Sequence, residues 1–356
     1  MKERKFLVFL FLYHIVFTLL AYKFIAIHKG DSNGYWAKTF DINQYSWIDF
    51  IGLNTNFILF LNYPLIKLGF PFWFGFLLYS TIGFLGILKF IQWANLALGD
   101  SFKFKGINLL YLVFLLPNLH FWTATLGKEP LVFYGIASIF YALLSKKFYT
   151  PSFIFGSLLL IIIRPHVALM LLLAIAFVFL FQRKYVLKTR VFFFLIFFSL
   201  ISILLYLSLQ LSHIKYLNWA RIQYFNQYSI LSFKNSGSYV PMLEYNYFHR
   251  IFVFNFQPLF FDANTIFSWL ASFENVLVLL IHFTALLFVI KFYNKINIYE
   301  WMKIVFVFVL ISSLVYVQRY ANLGIFMRTK IMFQPFILIA LFSIVKKGIT
   351  LNHSKT

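Results

Sequence analysis

The feature that most constrains this chain is the recurrence of apolar runs long enough to cross a hydrocarbon layer, beginning with KFLVFLFLYHIVFTLLAYKF almost at the first residue. A bilayer core about 30 Å thick needs about 20 apolar residues per helical crossing. Inside it every backbone N–H and C=O must be satisfied within the protein, so such runs are read as helices. They fall at 6–27, 70–95, 107–119, 130–145, 152–163, 167–182, 190–212, 268–291, 302–317 and 330–345. The expected fold is therefore all-α, a polytopic integral membrane protein of about ten transmembrane helices forming one membrane domain over 1–356. The segments at 107–119, 152–163 and 167–182 are shorter than a full crossing and are expected to be tilted, joined to neighbours or re-entrant.

Composition agrees, with 62% hydrophobic residues, 51 Phe and only 12% charged. The first run exceeds the apolar core of a signal peptide and no small-residue cleavage site follows it, so it is expected to be a retained span. Cysteine is absent, which excludes disulfides, thiolate metal sites and a cysteine nucleophile. A net charge of +21 raises the question of nucleic acid. The basic residues are scattered among the spans instead of forming one patch, so lipid headgroups and phosphates are the expected partners and nucleic acid is not.

Orientation follows from the basic loops. MKERK, SFKFKG, SKK, QRKYVLKTR, KFYNKINIYEWMK and KKGITLNHSKT fall on one side of a ten-span scheme, the cytoplasmic side by the positive-inside rule. Both termini are then cytoplasmic, in a plasma membrane. Glu3, Asp100 and Glu300 lie inside, whereas Asp31, Asp41, Asp49, Glu129, Glu244, Asp262 and Glu274 lie outside or at the outer edge. Two polar segments, 28–69 and 213–267, form extracytoplasmic loops. In the first, IGLNTNFILFLNYPLIKLG is interrupted by Asn54, Asn56, Asn62 and Pro64 and suits interfacial helices better than a crossing. The second, rich in Tyr, Asn, Trp and Phe, suits sugar binding or an aromatic belt at headgroup level.

Candidate chemistry gathers at the outer edges of the spans. Asp31 in GDSNGYW follows the first span; Lys128 and Glu129 in GKEP start the fourth. A carboxylate at a helix N-terminus with Pro130 behind it also has a purely structural use against the helix dipole, and Asp31 also reads as a solvated loop acid. As a pair at one depth, one acid can act as general base on an acceptor hydroxyl while the other orients that hydroxyl, binds a metal or stabilises positive charge at a sugar carbon. Lys128 then suits a phosphate leaving group. Arg164 and His166 in RPH lie where two short apolar segments meet, a depth at which charge is a site candidate unless the arginine snorkels to the interface. Arg319, Arg328 and Lys330 in QRYANLGIFMRTKIMFQP suit a lipid-linked phosphate, or headgroup anchoring.

The order GDSNGY, PNLHFW leading to KEP, RPH, then RY with NLG and R and K before a Pro-containing final span resembles bacterial membrane glycosyltransferases, in particular GT-C-type enzymes that use polyprenyl-phosphate-linked sugars, and oligosaccharide repeat-unit or O-antigen polymerases. The resemblance implies a GT-C-like fold and transfer of a sugar from a polyprenyl (di)phosphate carrier to an acceptor on the extracytoplasmic face, in cell-surface polysaccharide assembly at the bacterial inner membrane. Asp31 would be the catalytic acid or base and Glu129 its partner, with Lys128, Arg164, His166, Arg319, Arg328 and Lys330 toward the substrate. It names no certain cofactor and leaves room for a divalent metal, although no HExxH or close His pair in the sequence suggests zinc. GxGxxG before a strand and the P-loop are absent. The competing class is a flippase or transporter of lipid-linked oligosaccharide, which would favour midplane charges and repeated halves.

Overall fold

The computed structural model describes residues 2–99, 102–104, 107–181, 186–212, 214 and 218–353. Asp100, part of the SFKFKG and QRKYVLKTR loops and the last three residues lie outside them, as does the side chain of Glu3. Among the described residues the regular structure is helical apart from one pair of two-residue strands. It forms two compact units, Met1–Arg164 and Pro165–Thr356.

In the first unit α1 (Lys2–His28) is followed by the one-turn α2 (Asp31–Tyr35), α3 (Thr55–Lys67) and α4 (Phe72–Leu98). The strands β1 (Lys103–Phe104) and β2 (Ile107–Asn108) pair antiparallel. They lead to α5 (Leu110–Phe114), α6 (Pro117–Thr123), α7 (Lys128–Ser145) and α8 (Pro151–Ile163). The expected single segment at 107–119 is thus two short helices. Pro117, with no N–H to give, starts a new helix instead of continuing the old one. Helix α3 is 13 residues long and carries Pro64. At 1.5 Å per residue it covers about 20 Å, too little for a crossing. Asn62 pins it, donating to Tyr35 O at 2.9 Å and accepting from Tyr79 Oη at 2.9 Å.

Small residues set how closely these helices pack. A Cβ on Gly83 of α4 would lie 1.9 Å from Thr123 O, and one on Gly135 of α7 would lie 2.5 Å from Gly156 O of α8. Close approach of this kind is how helices associate where lipid removes the hydrophobic drive. The contacts also fix direction: α4 meets α7 at Gly86 against Tyr134 and Trp93 against Phe140, so the two run parallel, while α1 meets α4 antiparallel, Phe11 on Phe84 and Tyr22 on Phe76. The ends of α1, α6 and α8 and the starts of α4 and α7 therefore gather at one end of this unit.

The second unit holds α9 (Pro165–Leu180), α10 (Leu187–Leu211), α11 (Trp219–Leu231), α12 (Tyr247–Phe256), α13 (Ile266–Lys291), α14 (Glu300–Tyr316), α15 (Leu323–Lys330) and α16 (Gln334–His353). The stretch 213–267, expected as a loop, contains α11 and α12. Each is started by an asparagine whose side chain accepts a backbone N–H, Asn218 from Ala220 and Asn246 from His249. The core is aromatic: Phe254 packs against Tyr316, Phe326 and Phe333. The final span begins later than 330–345, because Lys330 ends α15 and a turn precedes Gln334. The closing basic residues Lys346 and Lys347 are part of α16.

Among the described residues five helices are long and apolar enough to cross a membrane: Arg4–His28, Phe72–Leu98, Leu187–Leu211, Ile266–Lys291 and Gln334–Asn352. Only 6% of the apolar window of α10 is buried inside the protein. Phe192, Phe194 and Phe198 are exposed along it, the surface a lipid-facing helix presents.

Candidate functional site

The polar groups of the first unit converge because α7 and α8 form a hairpin. Its turn at 146–150 brings the start of α7 beside the end of α8. Glu129 stands in the first turn of α7 and Arg164 caps the end of α8, each at the helix pole that favours its charge. Arg164 Nη2 donates to Glu129 Oε1 in an ion pair whose side chains are 10% and 2% exposed. Arg164 therefore turns inward to a carboxylate. The alternative of snorkelling to an interface does not describe it, and the pairing of these two residues was not foreseen from the sequence, where each was matched to an external partner.

Lys128 is half-buried. Its Nζ donates to Thr55 Oγ1 at 2.8 Å and lies 5.4 Å from the centre of the Tyr35 ring, which joins the starts of α3 and α7 to α2. The ring also closes over Gly127, where a Cβ would stand 3.1 Å from it. Ser32 adds a second tie, its hydroxyl donating to Leu126 O at 2.6 Å. The short helix that Asp31 begins is thus laid against the segment leading into Lys128 and Glu129. Asp31 itself is exposed. The two acids occupy one end of one unit in opposite settings, Asp31 exposed and Glu129 buried with a guanidinium.

His166, Arg319, Arg328 and Lys330 belong to the second unit. The His166 ring stands edge-on to Tyr316 at 6.3 Å. The Arg319 guanidinium lies 4.0 Å over the Phe225 ring, and Arg328 is partly exposed in the last turn of α15. Lys330 is fully buried, and its ammonium donates to Gln257 O at 2.9 Å, Asn275 Oδ1 at 2.9 Å and Asn255 O at 3.4 Å. Burial pushes the Lys330 amine down to about 7, and the charge of Glu274, on the same helix as Asn275, acts against that. An ammonium has three hydrogens, and these acceptors belong to the chain itself.

Two groups were not read as sites from the sequence. Asn62, mentioned as an interruption in an apolar run, proves to be the link among α2, α3 and α4. His14 and His120, 106 residues apart, meet in the interior with ring nitrogens 3.0 Å from each other. Among the described residues no three His, Asp or Glu side chains gather as a metal centre would need. Compared with protein-family models, with curated proteins and with solved structures, the chain matches none of them.

Proposed function

We propose that the chain is an integral membrane glycosyltransferase or oligosaccharide repeat-unit polymerase that uses a polyprenyl (di)phosphate-linked donor on the extracytoplasmic face. The observation that carries the reading is the placement of an exposed carboxylate, Asp31, on a short helix fastened to the segment that presents Lys128. Asp31 accepts the proton of the acceptor hydroxyl as its oxygen attacks the anomeric carbon. The bond from that carbon to the carrier oxygen breaks, and the phosphate departs with the bonding pair beside the Lys128 ammonium, which offsets its charge. Glu129, engaged by Arg164, holds the start of α7 in position instead of taking the proton. In the second unit, Arg328 and Arg319 are candidates for contact with lipid phosphate, and the internal bonds of Lys330 favour a positioning role for it.

The test is to express Asp31→Asn and Lys128→Gln in a strain lacking the gene and to follow lipid-linked saccharides. Loss of transfer, with single units accumulating on the outer leaflet, is the expected result. Transfer at wild-type level with Asp31→Asn would overturn the reading, and accumulation on the inner leaflet would favour a flippase.

A further inference from the structure

The interior of the first unit holds two imidazoles that the proposed reaction does not use. His14, midway along α1, and His120, in α6, are both completely buried, and their Nδ1 atoms lie 3.0 Å apart. On its far side each ring meets a backbone carbonyl, His14 Nε2 at 3.1 Å from Ser80 O and His120 Nε2 at 2.8 Å from Phe114 O. A carbonyl oxygen only accepts, so both Nε2 atoms carry hydrogen, and a neutral imidazole has one N–H. Two neutral rings would therefore leave two lone pairs facing each other between the Nδ1 atoms. Three contacts require three hydrogens, one more than two neutral rings possess.

We propose that His14 and His120 form a one-proton binding site, an imidazole–imidazolium pair that ties α1 to α6 when occupied and parts when the proton leaves. The groups facing the pair from α1, α4 and the 110–123 segment are Tyr13, Phe17, Thr18, Ser80, Phe84 and the Phe114 carbonyl. Of these only Tyr13 titrates, and its hydroxyl donates to Leu115 O at 3.1 Å. No acid in that set holds the added charge permanently; burial opposes it and the ring-to-ring hydrogen bond favours it, which makes occupancy a function of pH. The tie bears on the candidate site because α6 runs directly into Leu126, whose carbonyl holds Ser32, and into Lys128.

The experiment uses full-length protein with ¹⁵N-labelled histidine in lipid nanodiscs, counting hydrogens on the ring nitrogens by NMR across pH. The two solvent-shielded rings are recognised by slow exchange in the wild type, and their loss in His14→Gln or His120→Gln assigns them; either variant suffices. Three N–H groups over the two rings at the acid end, falling to two in one step shared by both rings as pH rises, is the expected result. Two N–H groups at every pH at which the protein stays folded, or two independent titrations, would overturn the proposal.

Discussion

Arg164 closes the open end of the α7–α8 hairpin by donating to Glu129, so that a residue ending one helix neutralises a residue starting its neighbour 35 positions earlier. Both side chains are removed from solvent, and breaking such a pair leaves an uncompensated buried charge. Glu129→Gln and Arg164→Gln are each expected to lower stability by about 3–5 kcal/mol. The double variant should lose less than the sum, read as thermal melting of the detergent-solubilised protein, because neither charge is then stranded.

Asp31 makes the opposite prediction. It is exposed, so Asp31→Asn should leave the melting transition within about 0.5 kcal/mol of wild type, while transfer falls by about 10²–10⁴-fold if the carboxylate is the base. Loss of activity accompanied by loss of folding would point to a structural acid.

Gly83 offers a steric test. Gly83→Ala sets a methyl group 1.9 Å from Thr123 O, a backbone atom that cannot swing aside. Overpacking of this sort is expected to cost about 1–3 kcal/mol. Gly237→Ala, where a Cβ meets nothing within 4 Å, serves as the neutral control in the same melting assay.

Lys330 and Arg328 separate anchoring from ligand contact. Lys330→Met deprives Gln257 O and Asn275 Oδ1 of their donor and should destabilise by about 1–3 kcal/mol for each acceptor left unmet. Arg328→Gln, at a partly exposed site, should instead weaken binding of polyprenyl phosphate titrated into the detergent-solubilised protein, with little change in melting.

How much of this was legible in the sequence depended on how local the signal was. Long apolar runs announced α1, α4, α10 and α13 because lipid-facing helices need no alternation of polar and apolar positions. Helices α11 and α12 lie in a polar, aromatic stretch without such a run, yet Asn218 and Asn246 stood at their starts as capping signals. Glu129 and Arg164 were each picked out, but their partnership follows only from folding a short turn between α7 and α8. The meeting of His14 with His120 had no local trace at all: it depends on α1 and α6 running parallel, which the packing of glycines and aromatics decides.

Helix α10 spans 25 residues, about 37 Å at 1.5 Å per residue, and stands nearly bare of protein cover. Lys188 and Arg190 open it and Gln210 nearly closes it, so the apolar part between them, 191–209, covers about 28 Å and matches an average hydrocarbon layer of about 30 Å. Acyl-chain length thereby becomes a mechanical input: a thinner layer tilts this rod and a thicker one draws its flanking cations inward.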